Sequence, residues 1–206
     1  LRVGPVHEEL LMDYEHDLMK TEAAVLKMVA DIGVPTSEVV VCDTSRRIIP
    51  RDYMLIKYID SLVLAGAQIP DEQRKEIQRD LGRYIRMMHE TEMESFGRAT
   101  DVLSGVHADS FADSILREIS DISSKALDSG CFTPEQREYI MQTAEMTRPA
   151  LMSVKKPVLC HGDLWDGNVL ICNEDGKWKF AALIDLDRAY FGDPAFDLGN
   201  PWAIND

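Results

Sequence analysis

The sequence predicts an α+β protein in two unequal parts: a small strand-and-helix unit over residues 1–60, and a larger, mainly helical unit over residues 61–206 that closes with short strands. Three observations carry this. Apolar residues recur at three- and four-residue spacing in four stretches, the period of an amphipathic helix. Short runs rich in Val, Ile, Tyr and Phe, bounded by Asp, Asn, Gly and Pro, read as strands. With 206 residues and 45% hydrophobic composition, the chain can bury a core of its own.

Element by element, Leu1-Arg2-Val3-Gly4-Pro5 reads as the end of a strand, because no turn or cap precedes it. A helix is expected from about Leu10 to Ala30 on the stripe Leu11, Tyr14, Leu18, Val25, Leu26 and Val29, closed by Gly33 and Pro35. Glu38 to Cys42 and Tyr53 to Ile59 form the next two strands, an antiparallel pair around the polar segment Asp43 to Arg47. Pro70-Asp71-Glu72 opens a helix with the stripe Ile77, Leu81, Tyr84, Ile85 and Met88, and another runs from about Ser110 to Leu127. Thr133-Pro134-Glu135-Gln136 has the order of a capping box, so a helix should start there and run to about Val154. Val158 to Cys160, Val169 to Cys172 and Trp178 to Ile184 are strands, the last two joined by the turn Asn173-Glu174-Asp175-Gly176.

Charge and composition exclude several classes of function. Against 22 basic residues stand 36 acidic ones, a net charge of −14 that repels a phosphate backbone and makes nucleic acid a poor partner. The apolar stretches at Leu62 to Ala67 and Phe180 to Ile184 are too short to span a bilayer, and no charged-then-apolar leader opens the chain, so a cytoplasmic protein without a membrane partner is expected. Cys42, Cys131, Cys160 and Cys172 lack zinc-type spacing and read as buried thiols.

Chemistry concentrates near the last two strands. Their hairpin should bring Asn168, before the first strand, beside Asp185, after the second, with Asp163 five residues ahead of Asn168 in His161-Gly162-Asp163-Leu164-Trp165-Asp166-Gly167-Asn168. An amide oxygen and carboxylates, without sulfur or imidazole, form the donor set Mg²⁺ accepts when phosphates and waters complete its octahedron. In the first helix, Glu22 falls on the apolar face and requires a cation, for which Arg2, Lys20 and Lys27 are all candidates. His89 reads as a hydrogen-bonded core histidine, and Trp165 as either packing beneath Asp163 or facing a ligand.

The motifs His161 to Asn168, Ile184 to Asp187 and Gly192 to Leu198 together resemble the aminoglycoside phosphotransferase and choline kinase-like family, small-molecule relatives of the protein kinases. The resemblance covers most of the chain and implies a protein-kinase-like two-lobe fold, with residues 1–60 as a partial nucleotide-binding lobe and 61–206 as a catalytic and substrate lobe incomplete at its C-terminus. It implies an ATP-dependent phosphotransferase acting on a small-molecule hydroxyl, with Asp163 as catalytic base and Asn168 and Asp185 as Mg²⁺ ligands. Asp187 becomes a third acid near the metal, and Asp197 the residue that accepts backbone hydrogen bonds from the catalytic loop. Arg2 would bind the α/β-phosphates and pair with Glu22, while the backbone at Lys57 and Ile59, in the hinge-like run Met54 to Ile59, would hold adenine.

The family's glycine-rich hairpin would precede Leu1 and its last helices would follow Asp206, so a partial copy of a longer kinase is expected. Gly162 stands where protein kinases carry an arginine that reads a phosphorylated loop, so no such switch is expected. The Leu164 to Asn168 wording is similar to hygromycin-type and ketosamine-kinase loops, which leans towards a polyhydroxylated amine as acceptor. A non-catalytic nucleotide-binding remnant and a metal-dependent hydrolase are the competing readings.

Overall fold

The computed structural model describes residues 1–12 and 15–199. Strands β1 (Arg2–Val3), β2 (Val39–Asp43) and β3 (Tyr53–Ile56) form an antiparallel sheet in the order β1-β3-β2. A second sheet joins β4 (Leu62–Val63) to the hairpin β7 (Val169–Glu174) and β8 (Lys177–Leu183) in the order β4-β7-β8. The third, β5-β9-β6, pairs β5 (Gly97–Arg98), β9 (Tyr190–Gly192) and β6 (Val158–Cys160). Helices α1 (Leu18–Asp31), α2 (Asp71–His89), α3 (Ala99–Leu103), α4 (Phe111–Asp128), α5 (Pro134–Met146), α6 (Arg148–Leu151) and α7 (Ala195–Leu198) complete the described chain.

Two expectations need correction. The first helix starts at Leu18, not near Leu10: Asp17 adopts φ 62°, a left-handed backbone that an α-helix cannot propagate, and Leu11 is extended. Tyr14, placed on the helical stripe, lies outside the described residues. The fifth helix stops at Met146 instead of continuing to Val154, because Pro149 has no N–H to offer and the Thr147 hydroxyl donates to the Ala144 carbonyl (2.6 Å), leaving the separate turn of α6. At its other end the capping box forms as expected, with Thr133 N–H donating to Gln136 Oε1 (2.8 Å) and Gln136 N–H to Thr133 Oγ1 (3.3 Å).

The hairpin that carries the site is fixed by its turn. Asp175 (φ 52°) and Gly176 (φ 83°) both adopt the positive φ of a tight two-residue connection, and Val169 pairs with Leu183 at the far end. That register sets Asn168 opposite Ile184, whose N–H donates to the Asn168 carbonyl (3.0 Å), and so one residue from Asp185. Beneath them lies a dry core in which Val25, Leu26 and Val29 of α1 and Ile77, Ile85 and Met88 of α2 meet Leu159, Val169, Leu183 and Leu186. Each such side chain contributes about 1.5–3 kcal/mol by leaving water, so the hairpin and the loop before it rest on close packing. Of the four cysteines only Cys160 is buried; Cys131 is exposed in the α4–α5 turn, against the expectation that all four are interior.

Candidate active site

Strand β6 delivers His161 into the core, where its buried ring braces the loop on both sides. Nε2 donates to the Ile184 carbonyl (3.0 Å) and Nδ1 accepts the Asp163 N–H (3.2 Å), so the ring is neutral with its proton on Nε2. Burial lowers the His161 pKa, in keeping with that state. Asp197 holds the same loop from below, accepting the N–H groups of His161 (2.9 Å) and Gly162 (2.8 Å). Burial alone would raise its pKa, but these bonds and one from His89 (2.8 Å) outweigh that and keep it below the ordinary value. His89 is thus the hydrogen-bonded core histidine expected. His89, Cys160 and Asp197 lie close enough to surround a cation, but the Asp197 oxygens already take three hydrogen bonds, and a strut explains the cluster.

Asn168, almost fully buried, donates its Nδ2 to the carbonyl (2.8 Å) and to Oδ2 (3.2 Å) of Asp163, which orients that carboxylate. The same bonds leave the amide oxygen of Asn168 for another partner. Asp185 sits at φ 62° with its carboxylate half exposed, next to Asp187, which is mostly buried. The oxygens of Asn168, Asp185 and Asp187 are hard donors that fit a divalent ion such as Mg²⁺.

Facing them is Arg2, whose Nη1 pairs with Glu22 and, at 3.1 Å, with Asp185 Oδ1, and whose Nη2 meets Asp187 Oδ2 at 2.9 Å. Of the three candidate cations for Glu22 it is therefore Arg2 that engages it; Lys27 pairs with Asp31 (2.7 Å) and Lys20 is exposed. Burial pushes the Glu22 carboxyl up to about 7 against the pull of Arg2, and burial together with Asp185 raises Asp187.

Arg2, Glu22, Lys57, Ile59 and Asp185 line one cleft of about 560 Å³, walled by Leu26, Ile56, Leu170 and Ile184. Within it, Lys57 N–H is already committed to the Glu38 carbonyl (2.9 Å), so the backbone group Lys57 can offer a ligand is its carbonyl oxygen. The strand expected to reach Ile59 ends at Ile56, which leaves 57–59 as the connecting segment.

Trp165 lies across Gly167, so close that a Cβ on Gly167 would meet the indole at 2.1 Å, and it remains 39% exposed. One contact does not follow from the sequence: Arg74 of α2 reaches Asp166 (3.2 Å) and the Ala67 carbonyl (2.9 Å), tying the loop to that helix. Arg74 is partly buried and in phase with the apolar stripe of Ile77, Leu81, Ile85 and Met88, so a charge on that face was the available signal, although nothing local names Asp166 as its partner. No helix among the described residues is long and apolar enough to cross a membrane.

Comparison with known proteins matches residues 5–206 to the family described as Phosphotransferase enzyme family. No curated protein sequence matches. Among solved structures, the chain is similar to aminoglycoside-3'-phosphotransferase of type VIII, with 22% identity, TM-score 0.58, and coverage of 88% of this chain and 62% of that one. It is also similar to a thermostable mutant of aminoglycoside phosphotransferase APH(4)-Ia in ternary complex with ADP and hygromycin B, at 16% identity, TM-score 0.61, and coverage of 88% and 59%. A third is the GDP and kanamycin complex of APH(2")-IIIa, at 19% identity, TM-score 0.59, and coverage of 88% and 60%. The chain thus has this fold, an α+β kinase-like architecture, and spans about 60% of the length of these proteins.

Proposed function

Since this chain belongs to the Phosphotransferase enzyme family, we propose that the protein carries the γ-phosphate of ATP to a hydroxyl of a small molecule, aminoglycoside-like or another polyhydroxylated amine. The observation that supports this most is that Arg2, Glu22 and Asp185 line one nucleotide-sized cleft, while Asn168, which orients Asp163, takes on its carbonyl the N–H of Ile184, the residue before Asp185 (3.0 Å). In this reading residues 1–60 are the nucleotide-binding lobe and 61–206 the catalytic lobe.

Asp163, oriented by Asn168 Nδ2 through Oδ2, takes the proton of the acceptor hydroxyl as it attacks. Asn168 and Asp185 would hold Mg²⁺, with Asp187 as a third acid, and when bound it would supply neutralisation of charge on the phosphate oxygens. Arg2, anchored by Glu22, meets the α/β-phosphates with its forked guanidinium. The Lys57 carbonyl and the Ile59 backbone flank adenine. Asp197, His161 and Arg74 touch no reactant and keep the loop in place.

Two of the similar structures hold a nucleotide together with hygromycin B or kanamycin, and a chain of net charge −14 attracts cationic, hydroxyl-rich acceptors of that kind. A reaction consuming ATP places the protein in the cytoplasm as part of the same proposal.

The test is transfer of label from γ-labelled ATP to kanamycin, hygromycin B, choline and a ketosamine by the full-length protein. Asp163→Asn should lower turnover about 10²–10⁴-fold while ADP still binds. Undiminished turnover in that variant would remove Asp163 as the base. ADP binding without transfer to any acceptor would favour a non-catalytic nucleotide-binding protein instead.

A further inference from the structure

We propose that Arg2 couples metal loading to nucleotide binding, holding Asp185 and Asp187 in one guanidinium fork until nucleotide phosphates draw the fork away. The inference rests on the nucleotide and Mg²⁺ reading above and adds a binding order to it. Its basis is that one side chain serves both halves of the site. Nη1 is shared between Glu22 and Asp185 Oδ1 (3.1 Å), and Nη2 is taken by Asp187 Oδ2 (2.9 Å).

A divalent ion arriving alone must compete with a charge-assisted hydrogen bond at each of these carboxylates, and the guanidinium also repels it. Nucleotide phosphates remove that obstacle by giving the guanidinium another anionic partner of matching fork geometry, while Glu22 still anchors it. Nucleotide therefore releases the carboxylates to the metal, and by linkage the metal stabilises the nucleotide-bound position of Arg2 to the same degree. A lysine at this position could not do the same. Its single ammonium cannot span Glu22, Asp185 and Asp187 in the geometry that two guanidinium nitrogens provide.

The experiment follows Mn²⁺ binding by electron paramagnetic resonance in the full-length protein, with and without saturating ADP. Without nucleotide, Arg2→Lys should tighten Mn²⁺ binding about tenfold, within the range of measured couplings between sites, and Arg2→Met by at least as much. With ADP present, wild type and Arg2→Lys should agree to within about twofold, because the fork has left the carboxylates in the wild type and the lysine never held them.

Unchanged nucleotide-free affinity in Arg2→Lys would overturn the proposal. So would a gain in Arg2→Met alone, which reports net charge and not the fork, or a gain that survives Asp185→Asn. Arg2→Lys also decides the matter if methionine beside buried Glu22 prevents folding. Failure of wild type to bind ADP would refute the nucleotide reading itself, whereas ADP binding with Mn²⁺ affinities indifferent to residue 2 would refute only the coupling.

Discussion

Replacing Gly162 with alanine should cost this protein far more activity than the loss of a loop glycine ordinarily would. Gly162 has φ +82°, and a Cβ there would stand 1.9 Å from the Arg188 carbonyl oxygen and 2.7 Å from its carbon. Ordinary contact begins near 3.4 Å, so the catalytic loop and the segment after Asp185 would have to separate by about 1.5 Å. Both neighbours are backbone, and no rotamer change relieves the clash. Asp163 is the next residue and Asp185 lies three before Arg188, so the separation pulls apart the base and a metal ligand. A misplacement of about 1 Å can cost roughly 10²-fold in rate, and kcat should fall at least that far with KM for ATP changed only a few-fold. Gly176 supplies the control, with φ +83° but nothing within 4 Å of its would-be Cβ. Gly176→Ala should cost only the left-handed strain of about 1–2 kcal/mol, a melting point lower by about 2–8 °C and normal turnover. The assay is phosphate transfer and thermal melting of both variants in the full-length protein. Normal kcat in Gly162→Ala, or an equal loss in Gly176→Ala, would refute the reasoning.

Asp185→Ala should abolish the metal-dependent part of nucleotide affinity by removing a primary oxygen ligand; calorimetric titration of ATP with Mg²⁺ and with EDTA checks this, and an unchanged difference between the two would exclude Asp185 from the metal site. Stability should also fall as pH drops below about 6.5, the ordinary histidine value, because burial lowers the His161 pKa: the unfolded chain then takes a proton that the native ring does not. Nitrogen chemical shifts should find His161 still neutral and protonated on Nε2 at pH 6, and a charged ring at that pH would contradict its two backbone partners.

Much of the site was legible because its logic is local. A two-residue turn at Asp175-Gly176 fixes the hairpin register, and the register fixes Asn168 against Ile184, next to Asp185. Glu22 on an apolar helical face announced a buried carboxylate in need of a cation, and Arg2, which the resemblance favoured over Lys20 and Lys27, is the residue that engages it. What the sequence did not disclose depends on distant partners. Strands β4, β5 and β9 are two or three residues long and exist because β7, β9 and β6 respectively run beside them, so no periodicity of their own identifies them. Asp17 and Pro149 cut apolar patterns that otherwise continue, since a hydrophobic stripe reports burial and not backbone conformation. The Arg74–Asp166 tie joins residues 92 apart, so a charge in phase with the apolar stripe of α2 could not name its partner.

The end of β8 has a mechanical consequence beyond its place in the sheet. Leu183, two residues before Asp185, gives its N–H to the Pro35 carbonyl (2.9 Å) and receives the Thr36 hydroxyl on its own carbonyl (2.7 Å), bolting the hairpin to the segment that leads out of α1. The helix carrying Glu22 and the strand that leads into Asp185 thereby share a crossbar, which sets the spacing of two residues that line the same cleft. Thr36→Val would remove one of its two bonds without touching any residue of the site.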